Sequence, residues 1–139
     1  MTTIADIMTR SIATVQREET LQAAAKRMRD MDVGSLPVLD GKALVGIVTD
    51  RDIAIRGVAD GMVAQESRVA DVMTEEVVCC RAADAIEDVM AEMGEAQIRR
   101  LPVLDGNNEV VGVVALGDLA TRQSAHTDQT LREISTPGH

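Results

Sequence analysis

Three groups of residues in this chain have types and spacings that could do chemistry. The first is Gly46-Ile47-Val48-Thr49-Asp50-Arg51-Asp52. An apolar run ends there and a helical pattern begins, which puts Thr49 at the start of a helix. Free N–H groups at such an end favour anions. Asp52 lies one turn on and points back to the same end. A carboxylate there can accept hydrogen bonds from both hydroxyls of a ribose, and the Thr49 hydroxyl can reach ribose or phosphate. Thr-x-x-Asp is equally a capping box, in which both side chains only finish the helix. The second copy of the motif, Ala115-Leu116-Gly117-Asp118, lacks the hydroxyl but keeps the acid. A helix that needed only a cap would have little use for the acid alone, which favours the ribose reading and predicts two unequal sites.

The second group is Arg99-Arg100, either a seat for anions or an exposed strand end that aids solubility. The third is Cys79-Cys80. A disulfide between sequence neighbours closes a strained ring, so the pair reads as two packed thiols in a reducing cytoplasm, with redox or metal sensing as the alternative. Other chemistries find little material. The only histidines are His126 and His139, both near the C-terminal end, so a histidine triad or metal cluster is not expected in the body of the chain. No G-x-x-x-x-G-K-[ST] phosphate loop is present. The pairs Asp30/Asp32 and Glu75/Glu76 read as solvated surface. Met28, Met31, Met90 and Met93 fall at helical spacing and read as core or interface. No metal, required cofactor or enzymatic activity is expected.

Composition narrows the partners. Fourteen Lys and Arg against 23 Asp and Glu give a net charge of −9 over 139 residues. Such a chain repels phosphate backbones, and with Phe, Trp and Tyr all absent it cannot build base-stacking platforms, so nucleic acid is not an expected partner. Any purine must lie against aliphatic side chains and main chain. No run of 18 apolar residues is present, and MTTIADIMTR lacks the layout of a signal peptide, so neither a membrane partner nor export is expected. At 45% hydrophobic the chain can still fill a core.

The elements that must position these groups are written twice. SLPVLDG (35–41) recurs as RLPVLDG (100–106), and the prolines set an offset of 65 residues (102 − 37). The same offset carries ADIMT (5–9) onto ADVMT (70–74), and Leu21, Ala24, Ala25 and Met28 onto Ile86, Val89, Met90 and Met93. One extra residue then pairs Gly46 with Gly112 and Asp52 with Asp118. Each copy predicts a helical turn (4–8; 69–73) and a short strand (12–15; 77–80). An amphipathic helix with the four apolar positions on one face follows. Thr20 is its expected N-cap in the first copy, and Asp84 with Glu87 an expected capping box in the second. Gly34 and Gly94 are expected to supply positive φ at the helix ends. A β-hairpin follows, with its turn at Gly41-Lys42 or Gly106-Asn107-Asn108, and then a last helix (50–58; 116–123). The fold class is therefore α/β (α+β): two β-α-β-β-α repeats packed with pseudo-two-fold symmetry. A unit of about 60 residues buries too little surface to be secure alone, so the copies should share a core. The expected divisions are 1–66 (repeat 1 with its linker at 57–67), 67–124 (repeat 2) and a polar tail at 125–139, whose one amphipathic turn is Leu131 with Ile134.

The doubled pattern ADIMT, amphipathic helix, LPVLDG and VGIVTDRDI resembles a tandem CBS-domain pair, the Bateman module, over residues 3 to about 123. It is similar to the small stand-alone prokaryotic pairs, including the hypoxic response type, in which the pair is the whole protein. The resemblance implies a non-catalytic regulatory module that binds an adenine nucleotide or adenosyl ligand (AMP, ADP, ATP or S-adenosylmethionine) in the cleft between repeats. It implies that Thr49 and Asp52 hold the sugar and face Met73, Val78, Ile98, Arg99 and Arg100. Val78 and Ile98 would grip the adenine, and Arg99, Arg100 or Arg51 would meet phosphates. A second site would join Val114, Ala115 and Asp118 to Met8, Ala13, Val33, Gly34 and Ser35. It also implies a homodimer of pairs; a cytoplasmic location is expected from the thiols, and an unidentified downstream protein from the lack of an effector domain in these residues. Some family members have no known ligand, so a dimeric stress-response scaffold with empty clefts is the alternative.

Overall fold

A computed structural model of the chain describes residues 2–10 and 12–121. The expected tail at 125–139, with its Leu131–Ile134 turn and both histidines, lies outside the described residues.

The fold is mixed α/β with two three-stranded sheets. In the first repeat β1 (Val15–Gln16) leads to α1 (Leu21–Met31) and then to the hairpin β2 (Ser35–Asp40) and β3 (Ala43–Thr49). β1 runs parallel to β2, and β2 antiparallel to β3. A helical segment, α2, starts at Asp50–Asp52 and continues through the wider π-helical turns of Ile53–Val58. The second repeat repeats the order with β4 (Cys80–Arg81), α3 (Ile86–Ala96), β5 (Arg100–Leu104) and β6 (Val110–Ala115). Residues 116–121 are helical and form the described part of α4.

Local physics explains most of these elements. Leu21, Ala24 and Met28 of α1 are buried, as are Ile86, Val89 and Met93 of α3. Thr20 caps α1 by accepting a hydrogen bond from the Ala23 N–H at 3.1 Å. The first strand of each repeat is corrected to two residues that begin later than expected, at Val15 and Cys80. Only these residues pair with the central strand, at Val38–Leu39 and Val103–Leu104. Ala25 is exposed, one step off the buried stripe. The expected box of Asp84 and Glu87 does not form. α3 starts after Ala85, and Asp84 instead closes the preceding turn by accepting the Arg81 N–H at 2.8 Å. Glu19 does the same for Gln16 at 2.7 Å in the first repeat. Nor do Gly34 and Gly94 supply positive φ. That conformation falls on Asp32 (φ 55°) and Gln97 (φ 57°), which terminate α1 and α3. The expected linker begins inside a helix, since Gly57 is buried in α2, where an added Cβ would stand 3.1 Å from Leu21 Cδ1.

The described residues form two compact units whose boundaries cut across the repeats. One is Ala13–Val77; the other joins the described residues up to Ile12 with those from Val78 onward. The leading segment of each repeat thus completes the other repeat's sheet. Thr9 and Val113 exchange both backbone hydrogen bonds at 2.9 and 3.0 Å, and Thr74 and Ile47 do so at 2.9 and 3.0 Å. Each segment is shaped by its own motif. The Asp6 carboxylate accepts the Thr3 N–H at 2.8 Å, and that of Asp71 accepts the Arg68 N–H at 3.0 Å, closing the short turns Ile4–Asp6 and Val69–Asp71. Ile4 and Val69 are fully buried.

Candidate functional site

The Ala13–Val77 unit brings Ser35, Thr49 and Asp52 to one end of its sheet. Ser35 opens β2 directly opposite Thr49, the last residue of β3. The Asp50 N–H donates to the Gly34 carbonyl at 2.9 Å, tying the start of α2 to the segment that precedes β2. Gly34 fits here because an added Cβ would stand 3.2 Å from the Asp50 carboxylate. At the start of α2 the capping box is complete. Thr49 Oγ1 accepts the Asp52 N–H at 3.0 Å, and Asp52 Oδ2 accepts the Thr49 N–H at 3.1 Å. Both residues are half-buried and Arg51 is exposed.

The structural role of the box leaves chemical capacity. A carboxylate has about four acceptor positions over its two oxygens, and one backbone donor fills only one of them. The Thr49 hydroxyl uses an acceptor lone pair for Asp52 and retains its proton to donate. The box therefore orients the two groups a vicinal diol would need without consuming them. Capping and ligand binding are compatible here.

The second unit repeats the arrangement with different chemistry. Arg100 opens β5 opposite Ala115, the last residue of β6, and the Leu116 N–H donates to the Arg99 carbonyl at 2.7 Å. Ala115 cannot cap. Asp118 is exposed and, among the described residues, has no hydrogen-bond partner. The guanidinium groups of Arg51, Arg99 and Arg100 are also unengaged among the described residues. Of the other expected site residues, Val78 is 40% exposed and Ile98 is half-buried against the core of this unit. Ala13 is half-buried against the core of the Ala13–Val77 unit, and Met73 lies within that core.

Glycines 46 and 112 have a role that their repetition alone did not disclose. A Cβ on Gly46 would fall 2.9 Å from both the Met73 sulfur and the Thr74 carbonyl oxygen. One on Gly112 would fall 2.8 Å from the Met8 sulfur and 2.9 Å from the Thr9 carbonyl oxygen. Each glycine lets a leading segment lie flat on the strand that ends at the site. The signal was in the sequence as a methionine and a glycine recurring together, Met8 with Gly112 and Met73 with Gly46.

Cys80 is buried and its Sγ lies 3.8 Å from the Pro102 carbonyl oxygen. Burial, with the neighbouring Asp84, Cys79 and Glu92 adding to it, pushes its thiol pKa up to about 12. Such a thiol is a poor nucleophile and metal ligand near neutrality. Cys79 is half-buried, and both cysteines are free. Among the described residues no three His, Cys, Asp or Glu side chains are grouped to hold a metal ion. No helix among them is long and apolar enough to cross a membrane.

Comparison with known proteins agrees with this architecture. The CBS-domain family model matches residues 4–57 and 69–125. The CBS domain-containing protein YhcV of Bacillus subtilis is 44% identical over 91% of this chain and 89% of its own length. Hypoxic response protein 1 of Mycobacterium tuberculosis is 35% identical over 99% of this chain and 96% of its own. A crystal structure of Hypoxic Response Protein I with two coordinated zinc ions superimposes with a TM-score of 0.78 at 36% identity, covering 86% of this chain and 98% of that one. CBSX2 of Arabidopsis thaliana in complex with AMP gives 0.76 at 25% identity, over 91% and 99%. The CBS domain pair of MJ0100, in complex with 5'-methylthioadenosine and S-adenosyl-L-methionine, gives 0.75 at 26%, over 91% and 98%. With the family's model matched in both repeats, the chain belongs to the CBS-domain family.

Proposed function

We propose that the chain is a non-catalytic regulatory module that binds an adenine nucleotide or adenosyl ligand, with Asp52 accepting from the ribose hydroxyls and Thr49 donating to ribose or phosphate. The observation that carries this reading is the unspent capacity of the Thr49–Asp52 box, held in place by its own backbone bonds. Relatives of the same fold bind AMP, methylthioadenosine or S-adenosylmethionine, which supports the adenosyl class. Without an aromatic ring the purine rests on aliphatic surface and main chain, and Val78 and Ile98 are the assigned residues. Arg51, Arg99 and Arg100 are assigned to phosphate, and Asp118, with Ala13, Ser35 and Met73 as further lining, to the remaining contacts. Two free thiols fit a reducing compartment such as the cytoplasm. Occupancy acts by differential affinity for two conformations or association states, passed to a partner protein.

Calorimetric titration with AMP, ADP, ATP and S-adenosylmethionine tests the reading. Loss of a charged acceptor in Asp52→Ala should weaken the ligand that binds by about tenfold or more. Equal affinity in the variant removes the assignment.

A ligand-free dimeric scaffold is the second reading. Ile55 at 56% and Val58 at 71% exposure favour it, because they leave apolar surface on α2 open to a second copy. Native mass spectrometry of freshly isolated protein distinguishes the two: a retained adenosyl mass supports binding, and a clean apo dimer supports the scaffold.

A further inference from the structure

The leading segment of each repeat is grouped with the sheet of the other repeat. Residues 2–10 precede β1 in the chain but belong to the other compact unit. Ile4 sits fully buried in the core with Cys80, Ile86, Leu101 and Leu119. Its N–H donates to the Asp84 carbonyl at 2.9 Å, and the Ala5 N–H donates to that of Ala82 at 2.9 Å. Thr9 then pairs with Val113 in the middle of β6. Residues 68–74 act in the same way on the first repeat. Val69 is buried with Val15, Leu21 and Leu36, its N–H donating to the Glu19 carbonyl at 2.8 Å. Thr74 pairs with Ile47, two residues before Thr49. Arg56 of α2 reaches the Val72 and Met73 carbonyl oxygens at 3.4 Å each.

Each segment is therefore a strap with a buried aliphatic anchor, joined in the second strap by Val72 and Met73, one carboxylate-closed turn and one two-bond bridge to the edge of a sheet. Each strap is grouped with the compact unit of the other repeat. The glycine under each bridge is required for the strap to approach.

We propose that the straps cross-wire the stability of the two repeats, so that loosening residues 2–10 opens the second repeat, and loosening residues 68–74 opens the first, including the strand that presents Thr49. The first repeat's site is then governed by side chains of the second. Opening a strap raises the local-unfolding population of the sheet it covers and leaves the other sheet intact.

The test uses the full chain and no ligand, so its outcome is independent of the adenosyl reading. Backbone hydrogen exchange is compared for the parent, Ile4→Ala and Val69→Ala. Ile4→Ala should speed exchange by about tenfold or more across residues 80–120 and by less than about twofold across residues 15–58. Val69→Ala should do the reverse. Faster exchange confined to the mutated residue's own repeat overturns the proposal, as does equal acceleration in both. Where a truncation prevents folding, the milder Ile4→Val in a Cys79→Ser background gives a second readout. Alkylation of Cys80, which shares the core of Ile4, should be faster in Ile4→Val than in the Cys79→Ser parent. Unchanged Cys80 labelling overturns the proposal.

Discussion

Thr49 and Asp52 each spend one side-chain bond on the other's backbone and keep the rest of their capacity. Their counterparts, Ala115 and Asp118, cannot do this, because a methyl group accepts nothing and the acid is left without a described partner. The repeats differ in the same way at another pair of matched positions. Glu19 and Arg27 form a half-buried ion pair at 2.9 Å in the first repeat, and Arg27 holds the Glu19 carboxyl below its usual range. The offset of 65 places Asp84 and Glu92 at these positions in the second, two like charges that act on Cys80 instead. Thr49→Ala should cost about 1 kcal/mol in urea unfolding, the usual loss for an N-cap. Asp118→Ala should stay within about 0.5 kcal/mol, as for an exposed side chain with no partner among the described residues. A loss of equal size at Asp118 would show a structural bond there that the box argument does not include.

At the scale of elements, both long helices end on a non-glycine residue in the left-handed region, Asp32 and Gln97, although glycines stand nearby. The backbone leaving α1 must turn back at once so that the Val33 N–H can reach the Met28 carbonyl at 3.0 Å; the Ile98 N–H reaches Met93 in the same way at 2.9 Å. The turn falls where that bond requires it, and in the first repeat Gly34, two residues on, lies instead against the Asp50 carboxylate. Glycine at either ending residue removes a Cβ penalty, so Asp32→Gly and Gln97→Gly should each raise stability by about 0.5–1 kcal/mol. Thermal or urea unfolding of the two single variants checks this, and destabilisation by either would mean that its side chain is needed there. The last strand residue and first helical residue of each repeat were legible from the change of pattern at Thr49 and Ala115. The first strands were not, because two residues of parallel pairing carry too short a period to read.

At the scale of the molecule, a net charge of −9 on 139 residues repels itself in the folded state. Screening shortens from about 30 Å at 0.01 M salt to about 8 Å at 0.15 M, so the urea midpoint should rise between these concentrations. A midpoint that falls would mean that attractive pairs such as Glu19–Arg27 outweigh the general repulsion.

The duplication, the order of helices and strands, the hairpins, the family and the asymmetry between Thr49–Asp52 and Ala115–Asp118 are all legible in the residues of the chain. These follow from residue types at short spacing, where hydrophobic period, turn chemistry and caps act over a few residues. Folding, by contrast, is what assigns residues 2–10 to the second sheet and residues 68–74 to the first. It also decided that Met8 and Met73 seal Gly112 and Gly46, that Ala25 is exposed and that Cys80 is sealed. Those outcomes depend on backbone bonds between segments far apart in the chain, such as Thr9 with Val113 and Ala5 with Ala82. A strap's own sequence shows that it has an apolar anchor and a closed turn. The strand edge that takes it is chosen by the packing of the whole unit.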